Sequence, residues 1–394
     1  MGRLILSVNP GSSSREYALF TDANKLVMSA YYEHDSDAKY SLTISSNHGD
    51  TTSNITEADF NNALGHFIDL YSQHKPFDTS TVSGVGVRVV MPGRRFLEHA
   101  MITDELYRYL QDNIQRAPLH VKTELEQIDQ IRQTLPDVPI FAISDSEFHK
   151  TLSHEARNYA IPVTDADKHD IYRFGYHGIS VQSVDYTMRR ELNLNYKNTI
   201  ICHLGSGASI TALKNGQSIE TSMGYSPLEG LVMATRSGNI DVEAALELKK
   251  RLNYTDDELT DYFNHRSGLL GLSETSNDIR ELISAEENGD DQAKFALDSM
   301  VYRIRSYIGS YHAILGGLDA IVFTATVGER SSIIRQRICK GIEHLGVHLD
   351  RSANDSTSVE PHLINHPNSP IKVHVIPTNE TAEIARQTAK MING

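Results

Sequence analysis

The chain is short of the features that define several large protein classes. It has only two cysteines, Cys202 and Cys339, both in apolar surroundings, which excludes a disulfide scaffold and reads as buried thiols in a reducing cytoplasm. No Lys/Arg run forms a basic stripe. The net charge of −14 is spread along the chain, so it favours solubility and argues against nucleic acid as a partner. No apolar run approaches the ~20 residues of a membrane span. The first apolar stretch breaks at Ser7 without a small-residue cleavage pattern, so no signal peptide is read. A soluble cytoplasmic protein is expected. No His/Cys spacing matches a zinc site, and no G-x-x-x-x-G-K-[ST] loop precedes a helix.

At 394 residues the chain is too long for one core and fits two domains. Near its start "LILSVNPGSSSREYALF", Leu4 to Phe20, reads as strand, turn and strand, the turn holding Asn9, Pro10, Gly11, Ser12, Ser13 and Ser14. Glycine lets backbone pass close to a ligand, and hydroxyls with free N–H groups suit phosphate. A plain small-residue hairpin is the competing explanation. The pattern returns in "NTIICHLGSGASITAL", Asn198 to Leu213, where Gly207 answers to Gly11 at an offset of 196 residues, which suggests an internal duplication. Two more strand-then-turn units are Val82 to Arg95 and Leu318 to Ser332. Helices are expected after Asp241, which can cap "VEAALELKKRL", and through Met300, Ile304, Ile308 and Tyr311. Strand-rich starts followed by helices, twice over, indicate a two-domain α/β protein with a cleft between halves. The two glycine turns would face one another and hold a polyphosphate.

Polar residues in apolar settings are the candidate chemistry. Arg88 in "GVGVRVVMPG" and Arg236 in "EGLVMATRSGNID" are either buried ion pairs or a clamp for a phosphoryl group, whose oxygens match a guanidinium fork. His120, His177 and His203 each sit at the end of an apolar run, where a structural histidine is the alternative. Asp145 and Glu380 follow strand-like runs, and two carboxylates without soft ligands fit Mg²⁺ bound with substrate phosphates.

The ordered set "NPGSSS", "RVV", "APLH", "FGYHGIS", "HLGSGASI", "TSMGYSPLEGLVMATRSG", "SGLLGLS" and "VIPTNE" resembles the acetate kinases, from Leu4 to about Ala389. These belong to the superfamily of acetate and sugar kinases, actin and heat-shock chaperones. The resemblance implies a duplicated βββαβαβα, actin-like and ribonuclease H-like fold with a central cleft. Its first domain would span residues 1–146, completed by a helix at about 382–394, and its second, the nucleotide and dimer side, 147–381. It implies a homodimer and reversible phosphoryl transfer from ATP to acetate, direct and in line, with Mg²⁺, or Mn²⁺ as the alternative. By the same resemblance Asn9 and Glu380 organise the metal, and Asp145, Arg88, Arg236 and His177 are catalytic. Acetate would be bound by Arg88 with Val90, Leu119, Tyr176 and Pro227, for which core packing is the alternative. Phosphates and nucleotide would fall to Gly11, Ser12, Ser14, His120, His203, Gly205, Gly207, Asp278, Arg280, Thr326, Gly328 and Arg330.

The departures from the family pattern are Glu16 for lysine, Met91 for histidine, Ser206 and Asn239 for asparagine and aspartate, and Tyr176 for phenylalanine. In the nucleotide segment, "GIGEN" becomes "TVGER", with Thr326 and Arg330 in place of glycine and asparagine. Pyrophosphate as donor, propionate or another short carboxylate as acceptor, and a non-catalytic phosphate-binding relative are the alternatives. The Tyr176 hydroxyl adds bulk, which disfavours longer acids.

Overall fold

In the computed structural model, residues 3–11, 13–34, 39–46, 49–73, 76–356 and 358–394 are described, apart from the side chain of Leu119. The opening stretch forms β1 (Leu4–Pro10) and β2 (Ser14–Thr21), followed by β3 (Leu26–His34), β4 (Tyr40–Ser46), β5 (Gly49–Ile55), β6 (Val82–Val89), β7 (Ala100–Met101) and β8 (Ile140–Ser144). Their sheet runs β5-β4-β3-β2-β1-β6-β8-β7. β1 is antiparallel to β2 and parallel to β6, which is parallel to β8.

The later strands are β9 (Asn198–Leu204), β10 (Ala208–Lys214), β11 (Gln217–Thr221), β12 (Ala320–Thr324), β13 (His362–Leu363) and β14 (Lys372–Val375), ordered β11-β10-β9-β12-β14-β13. β9 is antiparallel to β10 and parallel to β12, which is parallel to β14. The second sheet therefore repeats the pairing plan of the first, as the recurrent motif implied. The equivalence is displaced by two residues, however: Gly11 opens its turn and Gly207 closes the other, so the structural counterpart of Gly11 is Gly205.

The chain divides into two compact units, Met1–Glu147 with Gly178–Ser183 and Asn379–Gly394, and Phe148–His177 with Val184–Thr378. In the first, alternation along the strands sends Leu6, Val8, Val85 and Val87 into one apolar cluster with Val121, Ile128 and Ile131 of helix Pro118–Thr134. Ile5 faces the other way, against Ala382 and Ala385 of the C-terminal helix Glu380–Asn393. That helix lies close because β6 carries glycines: a Cβ on Gly84 would stand 2.7 Å from Ile392, and one on Gly86 2.0 Å from the Thr388 hydroxyl. In the second unit, helix Asp291–Leu315 buries Met300, Ile304, Ile308 and Tyr311 and packs on β9 and β10. Cys202 and Cys339 are buried there as free thiols.

Asp241 caps helix Val242–Leu252 through the Ala244 N–H at 3.1 Å, yet none of that helix is buried: Val242 is 71% and Leu246 54% exposed. The stretch Leu318 to Ser332 differs from expectation. β12 passes straight into a helix, Ala325–Arg330, because Ala325 takes the turn by itself in the left-handed region, at φ 63°. No helix among the described residues is long and apolar enough to cross a membrane.

Candidate active site

In the first unit, residues far apart in sequence meet at strand ends. Arg88, one residue before the end of β6, donates from Nη2 to Asp145 Oδ2 at 3.0 Å and from Nη1 to Asn9 Oδ1 at 3.4 Å. The Asn9 amide in turn donates to Glu380 Oε2 at 2.9 Å. Glu380, Asn9, Arg88 and Asp145 thus form one hydrogen-bonded string. Asp145, just past β8, is fully buried, whereas the Arg88 side chain remains 15% exposed. The Arg88 Nε–H is buried and has no protein partner, as a donor meant for an anionic ligand would be.

The charges in this string hold one another. Burial works against the Arg88 cation, but Asp145 and Glu380 outweigh it and raise its pKa above the ordinary value. Burial also raises the Glu380 carboxyl, with Arg88 opposing and Asp145 adding to the shift. Glu16, paired in register with Asn9, is pushed up to about 7 by burial and by Glu380, against a hydrogen bond from Asn9. Sequence reasoning noted Glu16 only as a departure; strand register puts it beside the candidate metal residues.

The β1–β2 turn is closed by the Gly11 N–H on the Ser14 carbonyl at 2.8 Å. Ser12 and the Leu119 side chain lie outside the described residues. Val90 is buried, 2% exposed, and half-buried His120 stands in the first turn of helix Pro118–Thr134.

The second unit gathers a different set around the β9–β10 turn, closed by the Gly205 N–H on the Gly207 carbonyl at 3.0 Å. A Cβ on Gly207 would stand 3.3 Å from His177 Nε2 and 3.5 Å from Arg236 Nη1. Glycine is what lets those donors approach the turn. The His177 and His203 rings stack at 4.0 Å, and His177 Nδ1 shares a 3.0 Å hydrogen bond with Ser209. His177 also holds a left-handed backbone at φ 58°, a cost of the kind that clusters at functional positions. Arg236 Nη1 reaches the Pro227 carbonyl at 3.4 Å.

The Tyr176 hydroxyl donates to the Tyr225 carbonyl at 2.7 Å, so it ties down the loop that carries Pro227. Tyr159 and Arg173 hold the same loop by bonding the Glu229 carboxylate.

Thr326, Gly328 and Arg330 lie on helix Ala325–Arg330, with Thr326 and Arg330 exposed and Gly328 buried. The helix is secured by Arg335, 1% exposed, which donates to the carbonyls of Gly328 and Glu329 at 2.9 and 2.7 Å. A fully buried arginine in "IIRQRIC" offers no periodic signal, so sequence reasoning missed it. Asp278 and Arg280 are brought together with one another: Asp278 caps helix Ile279–Glu287 and accepts from the Arg280 guanidinium at 2.5 Å. None of their described contacts reaches the β9–β10 turn.

Comparison with known proteins gives a consistent answer. The model of the Acetokinase family matches residues 4–386. The acetate kinase of Dictyoglomus thermophilum is 44% identical over 316 residues, 79% of this chain and 78% of that one. The acetate kinase of Dictyoglomus turgidum is 39% identical over 98% of this chain and 97% of its own. Among solved structures, a propionate kinase from Francisella tularensis is similar at a TM-score of 0.88 and 32% identity, over 98% of this chain and 99% of that one. Porphyromonas gingivalis acetate kinase is similar at 0.85 and 30% identity over the whole of both chains.

Proposed function

We propose that the chain, which belongs to the acetokinase family, transfers a phosphoryl group between ATP and acetate, with the Glu380–Asn9–Arg88–Asp145 string serving the acceptor and the metal and the Gly205–Gly207 turn serving the phosphates. The string is the observation that carries this reading. Four polar residues from the two ends and the middle of one unit would not converge there for packing alone.

Acetate is ionised at neutral pH and needs no general base. Arg88 orients its carboxylate through the donor that has no protein partner, and Asp145 fixes the guanidinium by taking one edge. By the resemblance to the acetate kinases, Val90, Leu119, Tyr176 and Pro227 are the residues proposed to favour a short acid. Arg236 and His177 stabilise negative charge as the phosphoryl group moves, which is the main protein contribution to this chemistry. His203 and His120 support the phosphates.

Asn9 and Glu380 offer only oxygen to a metal, and burial beside Asp145 leaves the Glu380 carboxylate undercompensated. This donor set fits Mg²⁺, or Mn²⁺, held by few protein ligands together with substrate phosphates. Such an ion would neutralise phosphate charge. Among the described residues no group of three or more His, Cys, Asp or Glu could hold a metal alone, which agrees with a site that substrate completes.

The second unit exposes Phe295 at 53% and Tyr302 at 66% beside a cavity of ≈ 670 Å³ that Ile240 and Leu248 also line. We assign this apolar face to a homodimer of a cytoplasmic enzyme. The deciding experiment is initial-rate kinetics with ATP and pyrophosphate as donors, each against acetate and propionate. Turnover with ATP and acetate at the highest kcat/KM is expected; turnover with pyrophosphate alone would overturn the donor, and a preference for propionate the acceptor.

A further inference from the structure

Helix Pro118–Thr134 carries one carboxyl that the reading above leaves unused. Glu124 is 1% exposed. Its Oε1 accepts the Val90 backbone N–H at 2.8 Å, and its Oε2 is buried without a hydrogen-bond partner. A glutamate on a helix normally faces water, and burying one half-satisfied is costly. Burial pushes its carboxyl up to about 8, against the Val90 bond and Arg88 and with help from Asp145, so at neutral pH the group is chiefly the neutral acid.

The bond to Val90 acquires meaning from what the same peptide does on its other side. The Val89 carbonyl accepts the Asp145 backbone N–H at 3.0 Å, and the Asp145 carbonyl accepts the Gly178 N–H at 2.8 Å. The peptide linking Val89 to Val90 is therefore clamped at both polar atoms, by Asp145 and by Glu124. Arg88 directly precedes it. Helix, β6 and the end of β8 are locked in one frame at the place where Arg88, Val90 and Asp145 are presented.

We infer that Glu124 is a positioning residue for the acceptor carboxylate: by holding the Val90 N–H it sets the angle between Arg88 and Val90. The inference rests on the reading of Arg88 and Val90 as acetate-binding residues. If Glu124 served only to satisfy a buried N–H, its loss would weaken the whole protein without singling out one substrate.

Steady-state kinetics on the full chain with MgATP and acetate separate the cases. Glu124→Met, which removes the acceptor at similar volume, is expected to raise the acetate KM at least about tenfold with the ATP KM unchanged, and Glu124→Gln, which keeps an acceptor, to stay within about threefold of the parent. A parental acetate KM in Glu124→Met, an equal rise in both KM values, or a Glu124→Gln as impaired as Glu124→Met overturns the inference. Should Glu124→Met not fold, Glu124→Asp, whose carboxyl is withdrawn by one methylene, is expected to raise the acetate KM at least about threefold; a parental value overturns it equally. Arg88→Ala distinguishes the two levels. If it leaves turnover and the acetate KM intact, the acceptor reading itself falls, whereas an impaired Arg88→Ala beside a parental Glu124→Met defeats the Glu124 inference alone.

Discussion

The hairpins that open the two sheets share a plan and differ in charge. Around β1–β2, Asp145 and Glu380 crowd a single guanidinium, Arg88, and Glu16 lies against Glu380. Around β9–β10, His177, His203 and Arg236 crowd a turn whose glycine leaves them room. One region is rich in anionic oxygen and the other in donors. The two sheets share one frame of strands, and on the proposed reading a handful of side chains at strand ends would suit one to a cation and a carboxylate, the other to phosphate.

The two arginines put this contrast to its strongest test. Arg88→Ala and Arg236→Ala are each expected to cut kcat at least roughly a hundredfold, the scale on which removal of a preorganised charge stabiliser is felt. Arg88→Ala also takes the Arg88 guanidinium away from fully buried Asp145, a loss on the order of 3–5 kcal/mol when a buried pair is broken, and thermal melts should show it. A folded variant of either with parental turnover would remove that arginine from the chemistry.

Ligand dependence probes the same division at smaller scale. Glu380→Gln is expected to raise the Mg²⁺ concentration for half-maximal rate about tenfold or more, with the ATP KM at saturating metal little changed. His203→Ala should do the reverse. Titration of each variant with Mg²⁺ and with ATP checks the pair, and the idea fails if the two respond alike.

The division into strands and helices was largely visible because both hairpins are apolar runs around Gly/Ser turns, and each strand's period of two survives in the chain. Arg88 and Asp145 announced themselves by interrupting apolar runs, and their ion pair is one of the two explanations weighed for Arg88. Glu124 and Arg335 did not, since nothing local distinguishes a buried charge on a helix from a solvated one; what buries them is a partner at Val90 or at Gly328 and Glu329. The displaced equivalence of Gly11 and Gly205 was hidden for a related reason. Motif matching aligns the more similar glycines, while strand register decides which residue opens a turn.

Glu16 offers a gentler test of the acid-rich side. Its carboxyl is raised from 4.5 to about 7, so it binds its proton more tightly folded than unfolded. The stability this contributes is fully present below about 4.5 and is lost as pH rises through about 7. Glu16→Gln should therefore gain a few °C over the parent at pH 8 and little at pH 4.5, in thermal melts without divalent metal. Parallel melting curves across that range would mean that Glu16 is solvated and takes no part in the crowding.

The smallest effect is expected on the donor side, at helix Ala325–Arg330. By the resemblance to the acetate kinases Thr326 and Arg330 would replace a glycine and an asparagine; both are exposed, so neither is committed to the core and each would be available to a nucleotide. A β-branched residue narrows the space that glycine would leave for a purine or ribose, while an arginine can stack on a base or grip a phosphate. These effects oppose one another, which keeps the net change modest. Because Arg335 holds the helix from its far side through the Gly328 and Glu329 carbonyls, exchanging the two exposed residues should leave its backbone in place. Thr326→Gly combined with Arg330→Asn is expected to lower the ATP KM about threefold with the acetate KM unchanged, the signature of a change confined to donor binding. Kinetics with both substrates varied would show it. Activity of the parent with pyrophosphate and not with ATP would instead mean that the two side chains close the nucleoside site, and the donor-rich hairpin would then serve phosphate alone.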